Sequence, residues 1–149
     1  MMSLRTLMFG LGAMAVFAST LSYAADPLAG STWRTFDDVT GKPKVLVQFH
    51  EKNGVLSGVI TQRLAGSSVS HCTLCKGKLK DHPLEGLQII SKLKADGQGQ
   101  YQDGEILDPK TGKTYRLKGQ LSKDGQKLEL RGFLGFSLLG RDQTWTREK

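Results

Sequence analysis

The chain of 149 residues has two cysteines and three histidines, and past residue 30 it shows no apolar stripe at helical spacing. Each shortage excludes a class of chemistry. Cys72 and Cys75 have no second cysteine pair, and a structural zinc site needs four ligands, so His50, His71 or His82 would have to complete the set. No metal is expected on that basis. Covalent haem attachment requires histidine directly after the second cysteine, where Lys76 stands. Thiol–disulfide catalysis needs a βαβ setting with the first cysteine at a helix start, and the helical pattern for it is missing. Gly135-Phe-Ser137-Leu-Leu-Gly140 is one residue too long for a nucleophile elbow, so Ser137 has no case as a nucleophile. Asp103, Glu105 and Asp108 stand close together, and Asp103 and Glu105 fall on one face of a regular strand, as a glycosidase pair would. Asp108-Pro109 with Thr111-Gly112 is fully accounted for as a turn, however, in which the aspartate bonds backbone N–H groups. No catalytic residue and no cofactor is expected, and the sequence does not reveal an activity.

What is present begins with a leader. Arg5 is followed by an uncharged run from Thr6 to Ala25, and Ser22 and Ala24 place small residues at minus three and minus one of a cleavable bond. Residues 1–24 read as a secretory signal peptide. The apolar part from Leu7 to Leu21 is interrupted by glycine and serine and is short of the ~20 residues of a membrane span, so no stable span is expected after cleavage. Residues 25–149 then form a single domain with one core, exported to the periplasm or beyond. The formal net charge of +7 loses one cation, Arg5, with the leader, and the remaining positive charge in an exported protein points to anionic envelope surfaces such as lipid headgroups or cell-wall polymers, and not to nucleic acid. The plainer role of such a charge is solubility.

The domain is punctuated as an antiparallel meander. Asn53-Gly54, Asp96-Gly97 and Asp124-Gly125 are pairs that tolerate the positive φ of tight hairpins. Between turns the apolar residues alternate: Val45, Val47 and Phe49 share one face, Tyr115 and Leu117 another, and Leu128 and Leu130 oppose Lys127, Glu129 and Arg131. Strands are expected over 31–36, 44–50, 55–63, 86–93, 100–107, 113–121, 127–134 and 137–147. Eight strands in series with one apolar side can close and so remove both sheet edges, which favours an all-β, up-and-down antiparallel barrel. Leu64 to Leu84 breaks the alternation and reads as a long loop, with a short helical turn over the cysteines ended by Gly77.

Candidate sites follow from this frame. In an oxidising compartment Cys72 and Cys75 are expected to form a disulfide. Lys76, Lys78 and Lys80 recur at every second position, setting three ammonium groups on one side of an extended backbone as an anion-binding edge; the plainer reading is a solvated loop. The stretch Leu128–Arg147 carries Arg131, Arg141, Gln143 and Trp145 where a barrel would close, a candidate ligand or anion site. Arg141 shares the face of Trp145 and is expected to point inward, where it must be paired, with Asp108 or Glu105 as candidates, unless a bulge at Gly140 lets it reach water.

Gly30-Ser-Thr-Trp33, with Trp145 and Arg147 late in the chain, resembles the lipocalin arrangement in which a first-strand tryptophan packs at the barrel base against a late basic residue; the spacing here is Gly-x-x-Trp where lipocalins have Gly-x-Trp. A wider likeness rests on Cys72-Thr-Leu-Cys75 running into Lys-Gly-Lys-Leu-Lys-Asp-His-Pro83-Leu-Glu-Gly86-Leu, on Gly104-Glu-Ile-Leu-Asp108-Pro109-Lys-Thr-Gly112-Lys-Thr-Tyr115, and on Leu130-Arg131-Gly132-Phe133 through Gly140-Arg141-Asp-Gln143-Thr-Trp145-Thr-Arg147. In these motifs the chain resembles the secreted bacterial family catalogued as domain-of-unknown-function family 2147. The resemblance implies a calycin-like barrel and no established activity. Two functions remain in view. One is a binding protein for a small apolar or amphiphilic ligand. The other is a structural or interaction protein of the envelope that holds an acidic partner through its basic loop. An interior filled by Val45, Val47, Phe49, Leu87, Ile89, Tyr115, Leu117, Leu128 and Leu130 would exclude the first.

Overall fold

The computed structural model describes residues 15–20, 23–135 and 140–149. Most of the segment expected to be a leader and Ser137 lie outside the described residues, and the residues of that segment that are described lie exposed and outside any strand. Among the described residues the strands are β1 (Thr32–Phe36), β2 (Pro43–Lys52), β3 (Val55–Arg63), β4 (His71–Cys72), β5 (His82–Pro83), β6 (Gln88–Ala95), β7 (Gln100–Asp108), β8 (Lys113–Leu121), β9 (Lys127–Phe133) and β10 (Gly140–Arg147). Eight of them form a closed antiparallel barrel in the order β1-β10-β9-β8-β7-β6-β3-β2, and β4 pairs with β5 outside it. The pattern that builds the barrel is the alternation already visible in the sequence. In β2, Val45, Val47 and Phe49 are buried while the residues between them face outward, and β9 repeats this with Leu128 and Leu130. Closure comes from β1, which pairs with both neighbours: Trp33 lies opposite Val47 of β2 and Arg147 of β10. Among the described residues β1 thus joins the two ends of the sheet and closes it.

Two local expectations need correction. No helical turn covers the cysteines. Cys72 to Cys75 is a tight turn closed by the Cys75 N–H donating to the Cys72 carbonyl at 3.2 Å, and a 3₁₀ turn at Gly77–Leu79 follows it. Gly77, with φ +60°, begins that turn and does not end one. Nor is the Asp103–Glu105 face regular. Lys92 and Asp103 have φ of +61° and +60° where the β3–β6 and β7–β8 ladders lose register, as bulges do. Asp103 thereby drops out of the alternation, and Glu105 pairs with Lys92 at 2.9 Å on the outside.

One end of the barrel is plugged. The segment from Asp26 to Ser31 folds across it, with Leu28 fully buried. The Asp26 carboxylate accepts the Leu28 N–H at 2.8 Å and the Tyr101 hydroxyl at 3.0 Å, and Gly30 and Ser31 exchange backbone bonds with Phe49 at 2.9 Å. Trp33 closes the base from within: its indole N–H donates to Ser31 Oγ at 2.7 Å, and the Arg147 guanidinium lies 4.8 Å from its ring centroid. Arg147 also donates to the carbonyls of Gly125 at 2.7 Å and Pro27 at 3.2 Å.

Burial pushes the Tyr101 phenol above the ordinary tyrosine value of 10.0, and the hydrogen bond to Asp26 and the charge of that carboxylate push the same way. The folded protein therefore holds this proton more tightly than the unfolded chain. Its stabilisation is complete below the unfolded value and is lost progressively as pH rises past it. Tyr101→Phe is expected to cost about 1 kcal/mol at neutral pH through the lost hydrogen bond. The gap between the two proteins in urea melts should close as the pH is taken above 10.0.

Candidate functional site

Opposite the plug the barrel is hollow. A cavity of about 190 Å³ opens there, so the interior is filled over its lower half only. Its walls are Val45, Ile60, Ile89, Leu117, Leu130 and Trp145, and its roof is made by Val69 and Leu84 of the long connection and by Leu107 and Pro109 at the β7–β8 turn. Tyr115, expected to help fill the interior, is half-buried and sits in the cavity wall. The cause of the void can be traced along β9. After Leu128 and Leu130 the next inward position is Gly132, and a Cβ there would meet nothing nearer than Ile106 at 3.6 Å. At Gly119, lower in the barrel, the corresponding space is occupied by Leu130 at 2.7 Å. Side chains thus interlock near the base and run out near the mouth.

The mouth is polar and carries Thr35, Lys44, Asp108, Lys110, Arg141 and Gln143. Gln143 and Trp145 are brought together as the alternation of β10 implies. The Trp145 indole N–H donates to Gln143 Oε1 at 3.1 Å, and Gln143 Nε2 donates to both Asp38 carboxylate oxygens at 3.3 Å. Arg141 completes this chain by an ion pair with Asp38.

The expected partners of Arg141 are therefore wrong. Asp108 spends one carboxylate oxygen on the Lys110 N–H of its own turn at 2.9 Å, and Glu105 faces outward to Lys92. Arg141 is also not buried, with its side chain 64% exposed, because the inward face of β10 reaches the rim at this point. Arg141→Met is expected to cost less than about 1 kcal/mol, as exposed pairs do. A urea melt that shows several kcal/mol would put the arginine back in the core.

Asp38 is the residue that sequence reasoning missed. It lies in the β1–β2 turn, whose shape is held by its neighbour. Asp37 accepts the Val39 and Thr40 N–H groups at 3.0 and 2.8 Å, and the Thr40 bond foremost draws the Asp37 carboxyl below the usual 3.8. Asp37-Asp38 before Gly41 signals a turn, but nothing in it announces a bond to a strand more than 100 residues away. Lys44 and Lys110 were likewise not singled out.

The remaining candidates lie away from the cavity. Arg131 projects from the outer face of β9 and pairs with Asp142 at 2.7 Å. Lys76, Lys78 and Lys80 are exposed around the 3₁₀ turn, where the backbone is not extended, so their every-second spacing does not align them. Cys72 and Cys75 form the expected disulfide, with Cα atoms 5.3 Å apart and both residues buried in the core cluster. Among the described residues no group of three histidines, cysteines or carboxylates is placed to hold a metal.

Asp108, Pro109 and Gly112 form the expected turn, closed by the Gly112 N–H donating to the Asp108 carbonyl at 2.8 Å. This turn rests directly on the cysteine loop, with the Gly112 Cα against the backbone of Leu74 and Cys75. The disulfide loop thus supports one wall of the mouth.

This architecture is shared with a solved structure described as "Protein HP1028 from the human pathogen Helicobacter pylori belongs to the lipocalin family". That chain is 24% identical, the match covers 80% of this chain and 82% of that one, and the TM-score is 0.70. No curated protein matches. A family model described as an uncharacterized protein conserved in bacteria matches residues 31–147, which span β1 to the last residue of β10 and include the cysteine loop, the β7–β8 turn and the whole mouth of the cavity. By that match the chain belongs to the bacterial domain-of-unknown-function family 2147.

Proposed function

We propose that this protein is an exported binding protein that encloses a small apolar or amphiphilic ligand in the open half of its barrel. The cavity carries this reading: it is walled by aliphatic side chains and one tryptophan, and its polar groups are gathered at the rim. Ligand pockets are commonly built this way, apolar within and with a few placed polar groups to fix orientation. Its volume of about 190 Å³ exceeds the ~150 Å³ of a dry cavity that admits benzene and falls short of the ~300–1,000 Å³ of a site for a drug-sized molecule. A single ring or a short chain is the size that fits. Binding is proposed in place of catalysis because the carboxylates near the mouth are committed to a turn or to an ion pair. Export rests on the leader at residues 1–24, and an N-terminus beginning at Ala25 in protein recovered from the periplasm tests it.

A homologous series of straight-chain alcohols, titrated by calorimetry, tests the binding. Each methylene added while the chain still fits should tighten binding about fourfold, from ~0.8 kcal/mol per buried CH₂, and the gain should stop once the cavity is full. Absence of saturable binding across the series would sink the reading.

A further inference from the structure

The rim carries more than polarity. Lys44, Lys110 and Arg141 all line the opening, and among the described residues neither lysine has an ion-pair partner. Asp108, which also lines the opening, is held by its own turn, and Asp38 on the β1–β2 turn is held by Arg141 and Gln143. Asp38 differs from Asp37 beside it. Asp37 organises the turn through backbone N–H groups, whereas the bonds of the Asp38 side chain go to Gln143 and Arg141 on the neighbouring strand β10. Asp38 can therefore let go without unmaking the turn that carries it.

Resting on the proposed function, we infer that the ligand is a small monocarboxylate with an apolar tail, and that Asp38 holds the place of its carboxylate on Arg141 in the empty barrel. Arginine presents a planar fork that matches a carboxylate, and Gln143 adds a neutral donor from the same strand face. When the tail enters the cavity, its carboxylate takes over Arg141 and Gln143, Asp38 is released to solvent on the β1–β2 turn, and Lys44 and Lys110 supply the net positive field. Asp38 thus acts as an internal competitor. It satisfies Arg141 when no ligand is bound and sets a threshold that an uncharged molecule has no means to overcome at that position.

The test compares octanoate, 1-octanol and octylamine by calorimetry at low and high salt, with the wild-type protein, Arg141→Gln and Asp38→Asn. Octanoate should bind about tenfold more tightly than octanol at low salt, and the margin should shrink as salt screens the rim. Asp38→Asn should tighten octanoate several-fold and leave octanol unchanged, since it removes the competitor, and Arg141→Gln should abolish the preference. Equal binding of octanoate and octanol, or preference for octylamine, overturns the inference while leaving an apolar binding site. An octanoate preference indifferent to both substitutions overturns it as well. Failure of all three probes to bind removes the inference and the binding function together.

Discussion

Trp33→Ala is expected to destabilise the barrel by about 3–5 kcal/mol, the range for removing a large buried aromatic. Trp33 is fully buried and stands on the strand that closes the sheet, opposite Val47 on one side and Arg147 on the other. Its loss acts on more than its own contacts. The Arg147 guanidinium rests on the indole at 4.8 Å while it donates to Gly125 in the β8–β9 turn and to Pro27 in the plug, so three segments meet through one side chain whose apolar seat would be gone. The cation–ring attraction adds ~1–2 kcal/mol when partly desolvated, and the Ser31 hydroxyl that receives the indole N–H loses its donor. Trp33→Phe should recover a large part of the loss, because it refills most of the volume and keeps a ring beneath the arginine. Urea denaturation should show the midpoint falling with little change in slope. A loss under about 1 kcal/mol would mean that Leu28 and its neighbours collapse into the space, and that the plug is softer than its hydrogen bonds imply.

The base was legible in the sequence because its signals are local and strong. A tryptophan in the first strand, an arginine in the last and the alternation of β2 and β9 each follow from burial on one face. The strand ends come out within a few residues because Asn53-Gly54, Asp96-Gly97 and Asp124-Gly125 permit the backbone that hairpins need. The bulges were hidden for the opposite reason. Lys92 and Asp103 take positive φ without glycine or asparagine to announce it. At the rim, alternation correctly placed Arg131 on the face away from Leu128 and Leu130, and that geometry outweighs its nearness in sequence to the candidate site. The partner of Arg141 was unreadable because a contact between the β1–β2 turn and the start of β10 depends on barrel closure and loop reach, which no periodicity encodes. The hollow upper half was equally hidden, since it depends on which inward positions find a neighbour tall enough to fill them. Leu130 does this for Gly119, and nothing does it for Gly132.

Gly112→Ala is expected to cost about 2–5 kcal/mol, and Gly125→Ala serves as its control. Both glycines have φ of +71°, so both substitutions carry the left-handed penalty of roughly 1–2 kcal/mol. Around Gly125 a Cβ meets nothing within 4 Å, and the cost should stop there. At Gly112 the added methyl runs into the Leu74 carbonyl, with its carbon at 2.5 Å and the Cys75 nitrogen at 3.0 Å. All of these are backbone atoms, and they cannot retreat easily because they belong to the ring closed by Cys72 and Cys75, both buried in the core. The strain therefore falls on the β7–β8 turn, which must lift, and overpacking of this kind adds ~1–3 kcal/mol. Since Leu107, Pro109 and Lys110 ride on that turn and line the cavity, lifting it should widen the mouth and weaken any ligand held there. The disulfide should also couple to the effect. With Cys72 and Cys75 both replaced by serine the loop gains freedom to move aside, so Gly112→Ala should cost less in that background than in the wild type, a non-additivity of the sort that contacting sites show. Equal costs in the two backgrounds would show that the loop is held by its packing and not by the bond. Equal costs for Gly112→Ala and Gly125→Ala would show that the turn does not rest on the cysteine loop at all.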